Sequence, residues 1–318
     1  MKVLITGAFG NIGSSTIENF IEKRDPGIEI CCFDIFNKTN EKKAMNYTGR
    51  IEVLWGDLRN IEEVKHAVEG RDVVIHLAFL LPPVSEEKPE LSYSVNVGGT
   101  KNIINAMKEK SPNARLVFAS SVSVYGPSPG NNPPRTATDP VIGTDNYTSH
   151  KVECEGLVKS SGLEWVITRF GAVPPLEIGR KFDAVLFEIP LDGRIEFVHS
   201  LDVGLALANA ANCAECAGRT LLIGGGKKCQ LYQREFISRF LEVNGIGMLP
   251  EEAFTKNPYY TDWMDTEESQ RLLNYQRFTF DDFLEELKKK IGFRRLIIKI
   301  ISPLVRKSLV EKSPYYKK

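Results

Sequence analysis

No uninterrupted apolar run in the 318-residue sequence approaches the roughly 20 residues that a bilayer-spanning helix needs, so no membrane span is expected. Charge of one sign is also missing in excess, with 41 Lys and Arg against 41 Asp and Glu. That balance gives no global field for nucleic acid, and no nucleic-acid partner is expected. Repeats and low-complexity segments are absent. Met1-Lys2 leads at once into a short apolar run that a glycine turn interrupts, so no targeting segment is read there and a cytoplasmic location is expected. The cysteines number only six and are read as reduced thiols rather than as a disulfide framework. Cys213-Ala-Glu-Cys216 has the spacing of half a zinc site, but no second Cys pair or His pair completes it. Metal is therefore not expected, and these two cysteines read as core or surface thiols on a helix. Cys154 reads as a small apolar filler.

The most informative stretch is Thr6-Gly7-Ala8-Phe9-Gly10-Asn11-Ile12-Gly13, which follows the apolar run Val3-Leu4-Ile5 and precedes a helix-like segment. Glycine permits the unusual dihedrals of a strand-to-helix turn and a close approach of main chain to ligand, and the N–H groups opening the next helix favour an anion. A diphosphate fits that description. Such spacing also arises by chance in ordinary turns. Here Asp34 closes the next apolar run, where a carboxylate would meet an adenosine ribose diol.

Short apolar runs alternate with helical periods up to about residue 170, as a parallel sheet covered on both faces requires. Strands are expected near residues 3–6, 28–34, 51–55, 73–77, 116–120 and 165–169, with the longest helix at about 89–110. Residues 126–140, rich in Pro, Gly and Asn, form a loop and a candidate active-site rim. The rhythm breaks at Pro174-Pro175, and residues 219–223 with Gly224-Gly225-Gly226 read as a further strand and its turn. The fold expected is α/β, a Rossmann-type doubly wound parallel sheet with a smaller interleaved α/β substrate region. Residues 1–172 would bind NAD, with 197–226 returning to that half. Residues 173–196 and 227–290 would form the substrate region, and 291–318 a basic amphipathic tail.

Tyr147-Thr-Ser-His-Lys151 would place a Tyr and a Lys one helical turn apart on one face. A phenol with a pKa near 10 is a poor base at neutral pH, and a nearby ammonium with a bound cationic nicotinamide would stabilise its phenolate. Any surface helix can show such a pair. Leu116-Val117-Phe118-Ala119 runs into Ser120-Ser121-Val122-Ser123-Val124-Tyr125-Gly126, placing hydroxyls at the C-terminal end of a central strand, where doubly wound sheets bind ligands. Serines capping a polar strand end are equally common. The joint order of glycine turn, acidic strand end, serine strand end and Tyr/Lys helix is what carries weight.

That combination resembles the extended short-chain dehydrogenase/reductases, specifically the NAD-dependent epimerase/dehydratase family. The likeness extends over about residues 1–290 and includes Gly56-Asp57-Leu58, His76-Leu77-Ala78, Asn96-Val97-Gly98-Gly99-Thr100 and Phe197-Val198-His199 with Asp202-Val203. It implies that Gly7, Phe9, Gly10, Asn11, Ile12 and Gly13 hold a pyrophosphate, that Asp34 binds the adenosine ribose and that Asp57 and Leu58 flank the adenine. Leu77 and Ala78 would line the path to the nicotinamide, and Asn96 counts with the cofactor-binding set. Tyr147 would be the acid/base, Lys151 would bind the nicotinamide ribose and depress the Tyr147 pKa, and Ser121 would be the catalytic hydroxyl, with Ser123 a neighbouring donor. NAD is favoured over NADP, because Asp34 repels a 2′-phosphate and the glycine turn holds no Arg or Lys. The implied reaction removes a proton from a substrate hydroxyl at Tyr147 while the hydride passes to the nicotinamide, giving a ketone that Ser121 polarises. Val122-Ser123 stands where dehydratases carry Asp-Glu, which argues against elimination.

The substrate half departs from the sugar-nucleotide pattern. Gly171-Ala172-Val173-Pro174-Pro175 lacks the family's Asn, and Ile195 stands where an Arg is expected, with Arg194 displaced by one. Arg180, Lys181 and Arg194 are the alternative cations for a diphosphate. Epimerisation of a nucleotide sugar is the first expectation; dehydrogenation or reduction of a non-nucleotide alcohol or ketone is the alternative, and an NAD-binding scaffold the third. The tail from Gly292 to Lys307 is apolar and basic together, either an interfacial helix on an anionic membrane, with Pro303 as a kink, or a helix packed on the substrate region or on a dimer partner. A homodimer through helices at 89–110 and 147–161 is the oligomer that the resemblance implies.

Overall fold

The computed structural model describes residues 1–23, 25–127, 133–176 and 186–316. Seven strands form one parallel sheet: β1 (Lys2–Thr6), β2 (Glu29–Asp34), β3 (Glu52–Trp55), β4 (Val73–His76), β5 (Arg115–Ser121), β6 (Glu164–Phe170) and β8 (Arg219–Ile223), in the order β3-β2-β1-β4-β5-β6-β8. Between β6 and β8 in sequence lies β7 (Arg194–Glu196), which pairs antiparallel with β9 (Gln230–Tyr232) as a separate ribbon. The order reverses at β1 and β4, the crevice where doubly wound sheets take ligands.

Strand alternation builds a core on each face. Val3, Ile5, Val73, Ile75 and Val117 share one cluster, whereas Leu4, Val74, Leu116 and Phe118 share the other, the two-residue period of a pleated strand. Helix Asn11–Glu22 crosses helix Ser200–Ala210 backbone to backbone on the first face. A Cβ on Gly204 would lie 2.5 Å from the Ser15 carbonyl, so only glycine allows that approach. A third core, beside the ribbon, is aromatic: Phe236 stacks on Phe280 at 4.8 Å, and Phe280 and Phe283 flank Phe197.

Two expectations need correction. The stretch 89–110 is not one regular helix, because Pro89–Tyr93 and Gly99–Lys110 are joined by a π-helical turn, Ser94–Gly98. Cys213 and Cys216 are disulfide-bonded rather than reduced. The short 3-10 turn Ala214–Cys216 brings their Cα atoms to 5.3 Å, within the reach of such a bond. The other four cysteines are free and buried. Among the described residues no helix is long and apolar enough to cross a membrane, and no group of His, Cys, Asp or Glu has a metal-binding arrangement.

Candidate active site

The glycine turn is built by close backbone approach. Gly7 has φ +65°, and a Cβ there would lie 2.8 Å from the Ala78 backbone. On Gly13 a Cβ would meet the Ala8 and Gly7 carbonyl oxygens at 2.5 Å. Gly10 begins helix Asn11–Glu22 with no capping side chain, so the first-turn N–H groups of Asn11, Ile12 and Gly13 are left for an external anion. Phe9 is buried and tilts against Trp55 at 5.4 Å.

Asp34 stands beside this turn, accepting from Phe9 N–H (2.9 Å) and Ile35 N–H (2.8 Å). Burial raises its pKa, while those two N–H groups and Lys43 work the other way. A carboxylate has about four acceptor positions, so each oxygen keeps one for a ribose diol. Lys43 donates to Phe9 O at 2.7 Å, a cation on the edge of the turn that the glycine motif does not include. Asp57 is bound by Arg59, which holds its pKa down. The Leu58 side chain is buried against Gly99 in the sheet core.

Leu77 and Ala78 follow β4, and both N–H groups donate to Thr6 Oγ1 at 3.2 Å. Thr6 also meets His76 Nδ1 at 2.8 Å, and His76 Nε2 meets Thr100 at 3.0 Å. Burial pushes that imidazole down to about 3, so it is a neutral structural link between β1, β4 and helix Gly99–Lys110. Asn96 lies in the π turn and clamps Leu80, accepting from its N–H (2.7 Å) and donating to its C=O (3.1 Å). π turns of this kind recur at functional sites.

Ser121, Ser123, Tyr147 and Lys151 gather at the end of β5. Helix Asn146–Lys159 starts with a capping box between Asp145 and Thr148, which fixes Tyr147 in its first turn. Ser121 Oγ donates to Ser123 Oγ (3.1 Å) and accepts from Ser123 N–H (3.2 Å). Burial pushes Tyr147 up to about 12, against a lowering hydrogen bond with Ser121. Lys151 is 3% exposed; its Nζ donates to Ala119 O at 2.6 Å and lies 3.4 Å from the centre of the Phe79 ring. Burial pulls its pKa down to about 7. The expected depression of Tyr147 by Lys151 is therefore not produced by the protein groups alone, because Nζ sits 5.9 Å from the centre of the Tyr147 ring and is turned to Phe79 and Ala119.

Several neighbours were not singled out from sequence. Glu155 and Arg169, each 2% exposed, form a two-pronged pair at 2.8 and 2.7 Å. Glu155 also accepts from Ser120 (2.7 Å), and Arg169 donates to Tyr125 OH (2.7 Å). This network locks the serine end of β5 to the Tyr147 helix. Its available signal was the placement of Glu155 one turn beyond Lys151. Phe79 meets Tyr147 edge-on at 5.9 Å, and the Tyr259 and Tyr260 rings tilt against each other at 4.3 Å; burial and then the nearby Asp145 carboxylate raise the Tyr260 pKa. Burial raises the Tyr259 pKa, and Tyr260, Asp145, Glu188 and, least, Tyr147 add to it. Of the expected substrate cations, Arg180 lies outside the described residues, as does Lys181. Arg194 is committed to buried Asp262 at 2.6 and 3.2 Å, with its guanidinium over Trp263.

The 3-beta hydroxysteroid dehydrogenase/isomerase family matches residues 4–167. A 3-beta-hydroxysteroid dehydrogenase of Mycolicibacterium neoaurum is 30% identical over 257 residues, 73% of this chain and 68% of the relative. CDP-paratose 2-epimerase of Salmonella typhi is 30% identical over 132 residues, and this chain spans only 38% of that enzyme's length. Among solved structures, UDP-glucose-4-epimerase from Stenotrophomonas maltophila, with bound NAD and formylated UDP-arabinopyranose, superposes with TM-score 0.76 at 20% identity, covering 94% of this chain and 99% of that one. The glycine turn, the serine strand end and the Tyr/Lys helix thus sit in a sheet of the same fold, and the chain belongs to the 3-beta hydroxysteroid dehydrogenase/isomerase family, enzymes of the NAD-dependent epimerase, dehydratase and dehydrogenase superfamily.

Proposed function

We propose that this enzyme oxidises a secondary alcohol of a largely apolar, non-nucleotide substrate to a ketone, or runs the reverse reaction, with NAD as its cofactor. The observation that carries the reading is the edge-on contact of Phe79 with Tyr147, together with the pairing of Arg194 to Asp262 rather than to a substrate diphosphate. The breadth of the match to a 3-beta-hydroxysteroid dehydrogenase supports it.

The residues present fit the cofactor. Gly7 and Gly13 let the turn close against the backbone of Ala78 and Ala8, where a Cβ would collide, the uncapped helix start offers N–H groups to the pyrophosphate, Asp34 keeps acceptor capacity for the ribose, and Leu77 and Ala78 would line the way to the nicotinamide. When bound, NAD accepts or returns the hydride. Tyr147 takes the substrate hydroxyl proton, and Ser121 donates to the developing carbonyl oxygen. The Lys151 ammonium favours the Tyr147 phenolate when it turns from Phe79 toward the ribose. Asp34 favours NAD over NADP, with nearby Lys43 working against that preference.

Epimerisation of a nucleotide sugar is the second reading, supported by the likeness to CDP-paratose 2-epimerase and by the paired Ser121 and Ser123 hydroxyls, which suit a polar ring. One experiment separates the two. Purified enzyme is denatured to identify released nucleotide by mass spectrometry, then untreated enzyme is offered apolar secondary alcohols and UDP-, GDP- and dTDP-sugars. NADH formed with the apolar alcohols supports the first reading; isomerised sugar without net NADH replaces it with the second. We also propose a homodimer through helices Gly99–Lys110 and Asn146–Lys159. Sedimentation at the monomer mass would remove it.

A further inference from the structure

The C-terminal helices turn the usual pattern inside out. Phe293, Leu296, Ile297, Ile300, Ile301 and Leu304 are 43–80% exposed, and their spacing of i, i+3, i+4, i+7, i+8 and i+11 draws one stripe along Arg294–Ile300 and Ser302–Val310. The inner side is what holds them. Arg295 donates to the carbonyls of Val243 (3.0 Å) and Glu242 (3.3 Å). Val310 enters the aromatic core, Ser313 donates to Ala253 O, and Tyr315 OH donates to Glu188 at 2.6 Å. The pair is therefore seated at both ends on the described protein, with its apolar stripe facing outward.

Charge surrounds that stripe. From Lys288 to Lys307 the chain carries eight Lys and Arg and no acidic residue, although the whole protein is neutral. Arg294, Lys299 and Lys307 are exposed among the apolar side chains. An apolar stripe rimmed by cations is complementary to a leaflet bearing anionic headgroups, into which apolar side chains insert while ammonium and guanidinium groups meet phosphates. The two helices are together too short and too charged to span, but at 1.5 Å per residue they lie about 25 Å along a surface.

We propose that these helices form an interfacial docking surface for a membrane leaflet carrying anionic lipids. The proposal is independent of the hydride chemistry above. Its test uses the full chain, sedimented with vesicles of phosphatidylcholine alone or with about one third phosphatidylserine. The expected result is binding about tenfold stronger to the anionic vesicles, weakening with added salt. Two variants, Leu296→Gln/Ile300→Gln/Leu304→Gln and Arg294→Glu/Lys299→Glu, should each lower that binding about tenfold or more while thermal unfolding stays unchanged. Absence of vesicle binding by the unaltered chain would overturn the proposal, and equal binding to both vesicle types would overturn the anionic requirement. If the apolar variant instead turns a vesicle-free dimer into a monomer, and the unaltered chain ignores vesicles, a second copy of the chain covers the stripe.

Discussion

The glycine-turn half and the C-terminal half hold their shape by opposite means. In the first, main chain touches main chain at Gly7, where a Cβ would meet the Ala78 backbone, and at Gly13, where it would meet the carbonyls of Gly7 and Ala8. In the second, buried carboxylates hold loops together. Glu196 accepts from Met264 N–H (2.7 Å) and Gly226 N–H (3.1 Å), Asp202 from Arg277 and Phe278 N–H (3.0 Å each), and Asp262 pairs Arg194 with Arg135. The difference teaches where polar recognition resides. Backbone donors in the first half remain open to an anion, whereas the charges near β7 are spent on the protein itself.

The largest effect should come from the site between the halves. Tyr147→Phe should lower kcat/KM by about 10³-fold or more with NAD affinity kept; a variant that retains activity would separate the phenol from the chemistry. Next, Glu155→Ala strands the buried Arg169 guanidinium and should cost about 3–5 kcal/mol in urea unfolding. Gly13→Val then tests the glycine half, since its branched side chain collides with the carbonyls of Gly7 and Ala8. NAD affinity measured by calorimetry should fall about 10²-fold, or about 2.7 kcal/mol, and unchanged affinity would mean that the turn is not the phosphate grip.

A pH series sharpens the contrast further. Lys151 is held down to about 7, whereas in the unfolded chain it titrates near 10.4. Between those values the unfolded chain binds a proton that the folded chain does not, so stability rises with pH across that window. Lys151→Met should flatten the rise in denaturant midpoint. The smallest effect belongs to Arg194→Met, which should lower stability by about 1 kcal/mol, because Arg135 stays beside Asp262, and should leave KM for the preferred alcohol unchanged. A large rise in KM for a UDP-sugar alone would return Arg194 to substrate binding.

Much of the first half was legible because its rules are local. An apolar run, a turn where side chains cannot fit and a carboxylate at the next strand end place β1, the glycine turn and Asp34 within the first 34 residues. The Tyr147 and Lys151 spacing was equally readable. What periodicity could not reveal depends on partners distant in sequence. Glu155 looks like any charged helix residue until Arg169 on β6 meets it, and the Tyr259–Tyr260 pair acquires meaning only where its loop reaches Asp145. The disulfide escaped because its turn geometry, rather than cell compartment, brings the two sulfurs together. The tail was ambiguous in sequence, since the same apolar and basic residues could have been packed inward.

The π turn at Ser94–Gly98 behaves as a phase adjuster. One residue more than a regular helix would use lets Asn96 face the Leu80 backbone while Gly99 still fits under Leu58. Deleting a single residue there would restore an unbroken helix but rotate everything beyond it by about 100° relative to what precedes it. Asn96 could then serve the loop or Gly99 the core, but not both, so this short stretch should tolerate substitutions far better than changes in length.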